Sequence, residues 1–455
     1  MMTHRFSGRF LFPLSATLAV GLSLLLLTAA RPASERNVIL ITVDTLRADH
    51  LGVYGYARNT SPNVDRFAKE SLLFRHAFSH ANITNPSFSS LMTSHYPHET
   101  KVFGNYYLLP PGAVTMAEIL KANGYHTAAI NSHFSLRRGS GFEQGFDVYD
   151  DHLEDRVEGR KERVAPKTTL AAIRWLEGNH KKKFFLWVHY DDPHGPYAPP
   201  LPYNTMFVER STLGKRQLRV GNGRGEIPSY QQLGDHRDPA YYVSQYDGEI
   251  RFFDQAFGDL IKKIRELGLF DNSLLIFTSD HGEGMGEHDY YFAHGYFLYN
   301  TQIHVPLIIR FPGRSPEVKE VRYPVGHVDL LPTILDTVSI RHPRAFRGRN
   351  LLTQGEDRPI LSQSHKGGSR YALIVNNLKL MEGSRYELYD IQQDFSENAN
   401  LMKGDRTVAL IPQAAALKNR LDAIRRQDAL RLGAPIVWAK GNPMRKELRA
   451  LGYVQ

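Results

Sequence analysis

Two groups of acids and imidazoles stand where apolar runs stop. Asp44 follows the run NVILITV, and Asp280-His281 follows SLLIFT after one serine. A third run, FFLWVH at 184–189, leads into Asp191, Asp192 and His194. Carboxylate oxygens with imidazole nitrogens suit a divalent cation such as Zn²⁺, Mn²⁺ or Mg²⁺. Residues 84–92 (TNPSFSSLM) add hydroxyls. Pro86 fits the first helical position and Asn85 its N-cap, which puts Thr84 just ahead of a helix N-terminus. Free backbone N–H groups and the helix dipole favour an anion there. A hydroxyl at that spot, also bound to a metal, would ionise more readily and become a nucleophile. His194 and His294 lie in glycine-containing turns, DPHGP and FAHG, and supply imidazoles for proton transfer near neutral pH.

The elements that must position these residues alternate. Asn37–Val43 is apolar throughout, β-branched and too short for a helix, so it reads as a buried strand of a parallel sheet. Similar runs recur at 126–130, 184–189, 273–278 and 305–309, with helical patterns at 115–123, 166–178 and 242–267 between them. Strands alternating with helices predict an α/β fold with a mostly parallel sheet. In such sheets ligands bind beyond the carboxyl ends of the strands, where Asp44 and Asp280-His281 fall, with Asp191, Asp192 and His194 following the third run. Residues 201–240 are polar and read as a surface insertion carrying Arg210, Lys215, Arg216, Arg219 and Arg224. Short strands at 359–362, 371–375, 378–382 and 386–390, then a helix over 408–425, predict a smaller C-terminal α+β subdomain. The expected organisation is a catalytic domain over 34–345, that subdomain over 346–425 and a basic tail over 426–455.

Composition narrows the function. The chain has 455 residues, 42% hydrophobic and 23% charged, as folded globular proteins do. Cysteine is absent, which excludes disulfide scaffolds, thiolate metal sites, cysteine nucleophiles and cysteine-linked lipid anchors. The net charge of +9 comes from 56 basic residues against 47 acidic ones. That is a mild excess, compatible with an anionic substrate and not read as nucleic-acid binding. Residues 1–33 have a basic start, an uncharged apolar middle and a small-residue exit. They read as a secretory signal or a retained N-terminal anchor. Both place the remainder outside the cytoplasm, periplasmic or secreted, and at a membrane only if the segment is kept.

The segments NVILITVDTLRADHLGVYGY (37–56), TNPSFSSLMTSHYPHE (84–99), HYDDPHGPY (189–197), FTSDHGEGMGEH (277–288) and HVDLLPTILD (327–336) together resemble the sulfatase family of the alkaline-phosphatase superfamily. The resemblance implies a large mixed, mostly parallel sheet between helices with a small C-terminal sheet and helix. It implies Asp44, Thr84, Asp280 and His281 as ligands of one divalent ion (Zn²⁺, Mn²⁺, Ca²⁺ or Mg²⁺). It makes Thr84 the nucleophile, and gives His194 and His294 the substrate anion or the leaving oxygen. A second ion is allowed, with Asp192, His194 and His294 as its expected ligands.

Departures from the family bear on the substrate. Its Cys or Ser, oxidised to formylglycine, is Thr84, whose extra methyl bars that oxidation. Its arginine four positions on is Phe88, and its late lysine is His294. Its Gly-Lys-Trp-His segment falls near 131–134 and is not recognisable. An unmodified Thr resembles instead the phosphodiesterase and phosphoryl-transferase branches. The expected enzyme is an extracytoplasmic metal-dependent hydrolase of sulfate or phosphate esters, with phosphodiester or phosphonate chemistry slightly favoured. Its substrate is an anionic ester, glycan- or lipid-linked forms included. The alternatives are a membrane-anchored phosphoryl-group transferase and an inactive sulfatase-like glycan-binding protein.

Overall fold

The computed structural model describes residues 35–157, 160–209, 214, 216–313, 319–342, 345–353, 358–402, 412–439 and 441–450. The signal or anchor segment at 1–33 lies outside them. So do Arg210, Lys215 and the predicted start of the last large helix at 408.

The central sheet has nine strands: β1 (Asn37–Val43), β2 (Leu72–Phe78), β3 (His126–Asn131), β4 (Val148–Asp150), β5 (Phe184–Tyr190), β6 (Ser273–Ser279), β7 (His304–Arg310), β8 (Glu320–Val321) and β9 (Val325–Gly326). Their order is β8-β2-β7-β6-β1-β5-β3-β4, with β9 also on β2. Only β7 runs antiparallel to its neighbours β6 and β2, so the sheet is mixed and mostly parallel. β1 lies at the middle and is buried on both faces, which explains its unbroken apolar run. Alternation sends Ile39, Ile41 and Val43 to one face, under α2 (Ala165–Asn179) and α3 (Pro239–Glu266). Val38 and Leu40 go to the other, under α1 (Thr84–Thr93) and α4 (Leu330–Thr337).

A four-stranded antiparallel sheet comes next in the chain: β10 (Ile360–Ser364), β11 (Arg370–Val375), β12 (Leu378–Glu382) and β13 (Tyr386–Asp390). Leu361, Leu373, Leu380 and Leu388 on one face pack against Ala414, Leu417 and Leu421 of α5 (Pro412–Arg425). The sheet is tied to the turn after β2: Gln363 N–H donates to the His80 carbonyl (2.9 Å) and Ser362 Oγ to that of Ser79 (2.6 Å).

Two readings change. The run LLFRHAF forms β2, which the pattern did not predict because half-buried Arg75 and His76 break it. The helix expected from Pro86 begins two residues earlier, at Thr84, with Ile83 as its extended N-cap residue. Asn85 is not that cap. Its N–H donates to Asn105 Oδ1 (2.9 Å) and its Nδ2 to the Asn105 carbonyl (3.1 Å), so a neighbouring loop satisfies the first turn.

Within the 201–240 insertion, short pieces of regular structure interrupt the loop, among them a helix at Tyr203–Met206 and the strand pair Val220–Gly221 with Ile227–Pro228. The tail also has a place in the fold. Leu448 of the helix Pro443–Ala450 packs on Phe134, and Val437 bridges Tyr107.

Candidate active site

Register places the acids. Val43 pairs with Tyr190 on β5 and with Ser279 on β6. The next residue on each strand is Asp44, Asp191 or Asp280, so three carboxylates leave adjacent parallel strands in one row. His133 comes just after β3, on the far side of β5. All four residues are buried.

Backbone groups then aim the side chains. Thr45 turns the chain at φ 52°, and its N–H donates to Asp280 Oδ1 (3.1 Å). The His281 N–H donates to the same oxygen (2.7 Å). Asp280 Oδ2 is left buried without a hydrogen-bond partner among the described residues. His281 Nδ1 lies 2.9 Å from the Gly282 carbonyl, which can only accept, so Nδ1 carries the proton. Burial pushes the His281 imidazole down to about 4, so the ring is neutral at pH 7. Its Nε2 lone pair therefore points inward, 3.4 Å from Asp280 Oδ2 and without a hydrogen bond. Burial, and next the charge of Asp44, push the Asp280 carboxyl up to about 7. Asp44, Asp280 and His281 each offer one ligand atom, all within 4.8 Å of one another.

Thr84 heads α1, and its Oγ1 is buried without a hydrogen-bond partner among the described residues. One turn on, Ser87 Oγ donates to the Asp280 carbonyl (2.7 Å), which pins this helix end to the end of β6. Two carboxylates, a bare imidazole nitrogen and orphaned buried oxygens form a donor set that fits a divalent cation.

Four imidazoles line the other side in sequence. Ring centroids separate His133 from His194 by 5.3 Å, His194 from His294 by 5.3 Å and His294 from His281 by 4.5 Å. His294 Nδ1 lies 3.1 Å from Glu283 Oε1, and Tyr197 OH donates to Glu283 Oε2 (3.1 Å). Burial pushes the Glu283 carboxyl up to about 8.

All six residues singled out as site residues are buried at or beside the strand ends. Asp192 is not placed with them: its Oδ2 accepts from Ala165 N–H (2.7 Å) at the start of α2, so the carboxylate facing the cluster is Asp191. The sequence singles out neither His133 nor Glu283 as a site residue, and names Asp191 after the third run without giving it a role. The strand-end rule reaches His133 and Asp191, since each stands one or two residues beyond a strand. Phe88, at the family's arginine position, is core: it packs on His189 (4.8 Å) and Trp187 (5.1 Å). Of the basic insertion residues, Arg224 stacks over Tyr296 (3.5 Å), two positions after His294.

A family model for sulfatases matches residues 36–340. The chain belongs to the sulfatase family. A second model, N-sulphoglucosamine sulphohydrolase, C-terminal, matches residues 286–427 of this sulfatase-family chain. It is 27% identical over 367 residues to an ulvan-active sulfatase of Formosa agariphila, covering 75% of this chain and 68% of that one. It is 25% identical over 399 residues to the multifunctional alkaline phosphatase superfamily protein PehA of Trinickia caryophylli, covering 70% and 77%. A phosphonate monoester hydrolase of Agrobacterium radiobacter shares the fold, with a TM-score of 0.70 and 21% identity over 89% of this chain and all of that one. The large mixed sheet with a small antiparallel C-terminal sheet is therefore the sulfatase architecture, and the chain is a hydrolase of that family, acting on ester bonds.

Proposed function

We propose that this sulfatase-family hydrolase cleaves phosphorus esters, phosphodiesters or phosphonate monoesters in preference to sulfate esters, with Thr84 as its unmodified nucleophile. The observation that carries the reading is Thr84 itself. Its Oγ1 is buried and unpartnered among the described residues at the N-terminus of α1, and that helix end is tied to the strand end bearing Asp280 and His281. Asp44, Asp280, His281 and Thr84 would hold one divalent ion. When bound, that ion supplies positive charge to the nucleophile and to the charge that develops on the ester oxygens.

The residues of the chain divide the remaining work. The positive end of the α1 dipole lies at Thr84 and favours the anion. Thr84 Oγ, its hydroxyl proton lost to water, attacks phosphorus or sulfur, the bond to the ester oxygen breaks, and the departing oxygen takes a proton from His294 or His194. Glu283 holds His294 from behind through Nδ1, which leaves Nε2 for that transfer. Water then frees the group from Thr84. A sulfate ester is the second reading, favoured by the match of 286–427 to a sulphohydrolase C-terminal model.

The pattern of residues 1–33 supports a place outside the cytoplasm. Among the described residues no helix is long and apolar enough to cross a membrane.

The test is turnover of aryl sulfate, phosphate monoester, phosphodiester and phosphonate monoester with Zn²⁺, Mn²⁺, Mg²⁺ or Ca²⁺, beside Thr84→Ala. Phosphodiester or phosphonate turnover lost in Thr84→Ala is expected. Sulfate turnover as the dominant activity, lost in the same variant, would overturn the preference for phosphorus. Full turnover in Thr84→Ala would overturn the nucleophile.

A further inference from the structure

We propose that Asp44, His133 and Asp191 bind a second divalent cation, next to the ion assigned to Asp44, Asp280 and His281. The proposal rests on that first assignment and shares Asp44 with it. One atom from each of the three residues lies within 4.8 Å of the others. The three are 0%, 0% and 2% exposed. His133 Nε2 stands 3.8 Å from Asp44 Oδ2 and 3.9 Å from Asp191 Oδ1. These separations exceed hydrogen-bond length. They match donors arranged around one ion, which sit about 3–4 Å apart when each bond is about 2.1 Å.

A hydrogen-bond relay sets the imidazole. Asn85 Nδ2 donates to backbone carbonyls, which makes Asn85 Oδ1 an acceptor. Ser135 Oγ therefore spends its only proton on Asn85 Oδ1 (2.8 Å) and can only accept from His133 Nδ1 (2.8 Å). Nδ1 then carries the proton, and the Nε2 lone pair faces the two carboxylates. The Ser135 N–H approaches the same Nδ1 at a longer 3.3 Å and favours the opposite tautomer, in which Nε2–H would brace Asp44 and Asp191 instead.

An independent observation points into the same space. His189 Nε2, on a fully buried ring, has no hydrogen-bond partner among the described residues and lies 3.6 Å from Asp44 Oδ2. The fold explains the cluster: Asp44 and Asp191 come directly after paired residues of neighbouring strands, and His133 comes after the next strand over. Two carboxylates and an imidazole suit Zn²⁺ or Mn²⁺. A second ion here would place another positive charge beside the ester, as a clamp on an in-line displacement requires.

The experiment counts ions on the full chain. Chelator-treated protein is dialysed against Zn²⁺ and, separately, Mn²⁺, and bound metal is measured by elemental analysis. Two ions per chain are expected, with Mn²⁺ showing the spin-coupled resonance of a pair sharing a carboxylate. His133→Ala and Asp191→Asn should each hold one ion and give the uncoupled Mn²⁺ spectrum. One ion in the unaltered chain would overturn this proposal and leave the first assignment standing. None would overturn both. A coupled pair that survives both substitutions would equally overturn it. Circular dichroism checks that each variant is folded, and the wild-type count decides even where a variant is not.

Discussion

His281 Nε2 lies 3.4 Å from Asp280 Oδ2, while the far sides of both groups are held by backbone: Nδ1 by the Gly282 carbonyl and Oδ1 by two N–H groups. Main-chain partners thus turn one oxygen and one nitrogen toward the same space. The buried charge of such a site is offset by a bound cation or, without one, by protonation of a carboxylate.

Replacing Asp280 should therefore act with opposite signs in the two states. Burial and the Asp44 charge hold the Asp280 carboxyl up at about 7, so metal-free protein bears a repulsive pair. Asp280→Asn keeps an Oδ1 for Thr45 and His281 and removes the repulsion. Metal-free Asp280→Asn should melt a few degrees higher than wild type. The upward shift that Zn²⁺ gives wild type should shrink sharply. Thermal melts with and without Zn²⁺ check both signs; an unchanged metal shift would remove Asp280 from the ligands.

Glu283 predicts a pH dependence of stability. Burial pushes its carboxyl from the ordinary value of 4.5 up to about 8. The folded state then binds this proton more tightly than the unfolded chain. Between about 4.5 and 8 the native state holds more protons, so stability falls as pH rises through that window. The slope is about 1.4 kcal/mol per pH unit for one whole proton. Glu283→Gln keeps the hydrogen bonds to Tyr197 and His294 and removes this contribution. Denaturant midpoints at about pH 5, 6.5 and 8 should fall less steeply in the variant. Equal slopes would reject the assignment.

Phe88 stands where the family keeps an arginine, yet it is fully buried among Trp187, His189 and Phe142. Phe88→Ala should cost about 3–5 kcal/mol by opening a cavity under the strand that carries His189. Phe88→Arg should be worse, because the guanidinium would be buried among aromatic rings. Chemical denaturation checks the order. A stable Phe88→Arg protein would show that the space beside Thr84 is more open than this packing allows.

Gly282 tests positioning without touching a ligand. A Cβ there would lie 2.2 Å from the Thr301 carbonyl oxygen, which is backbone and cannot swing aside. Gly282→Ala must displace the turn that carries Asp280 and His281. Metal affinity should fall about 10- to 100-fold, as it does when groups supporting metal ligands are lost. Calorimetric titration with Zn²⁺ reads it, and an unaltered affinity would mean that the turn does not set the ligand geometry.

The central strands were legible because burial on both faces writes them as continuous apolar runs. NVILITV is the observed β1, and 273–278 differs from β6 by one residue. β2 escaped because Arg75 and His76 interrupt its pattern. The start of α1 was misplaced by two residues because Asn85 looks like a local cap, whereas its bonds go to Asn105 and Ser135. A cap supplied by a distant loop leaves no local signal.

By itself the sequence determined the fold class and the strand ends where Asp44, Asp280 and His281 would stand. Those are matters of period and of the polar residues that close an apolar run. Only the tertiary structure decided that Asp191 faces the cluster while Asp192 caps α2, since adjacent residues leaving a strand point opposite ways. It also brought His133 beside Asp44, 89 positions away in sequence, through a sheet order that places β5 between β3 and β1. Pairing between strands distant in the chain is fixed by packing of the whole sheet, and no local pattern records it.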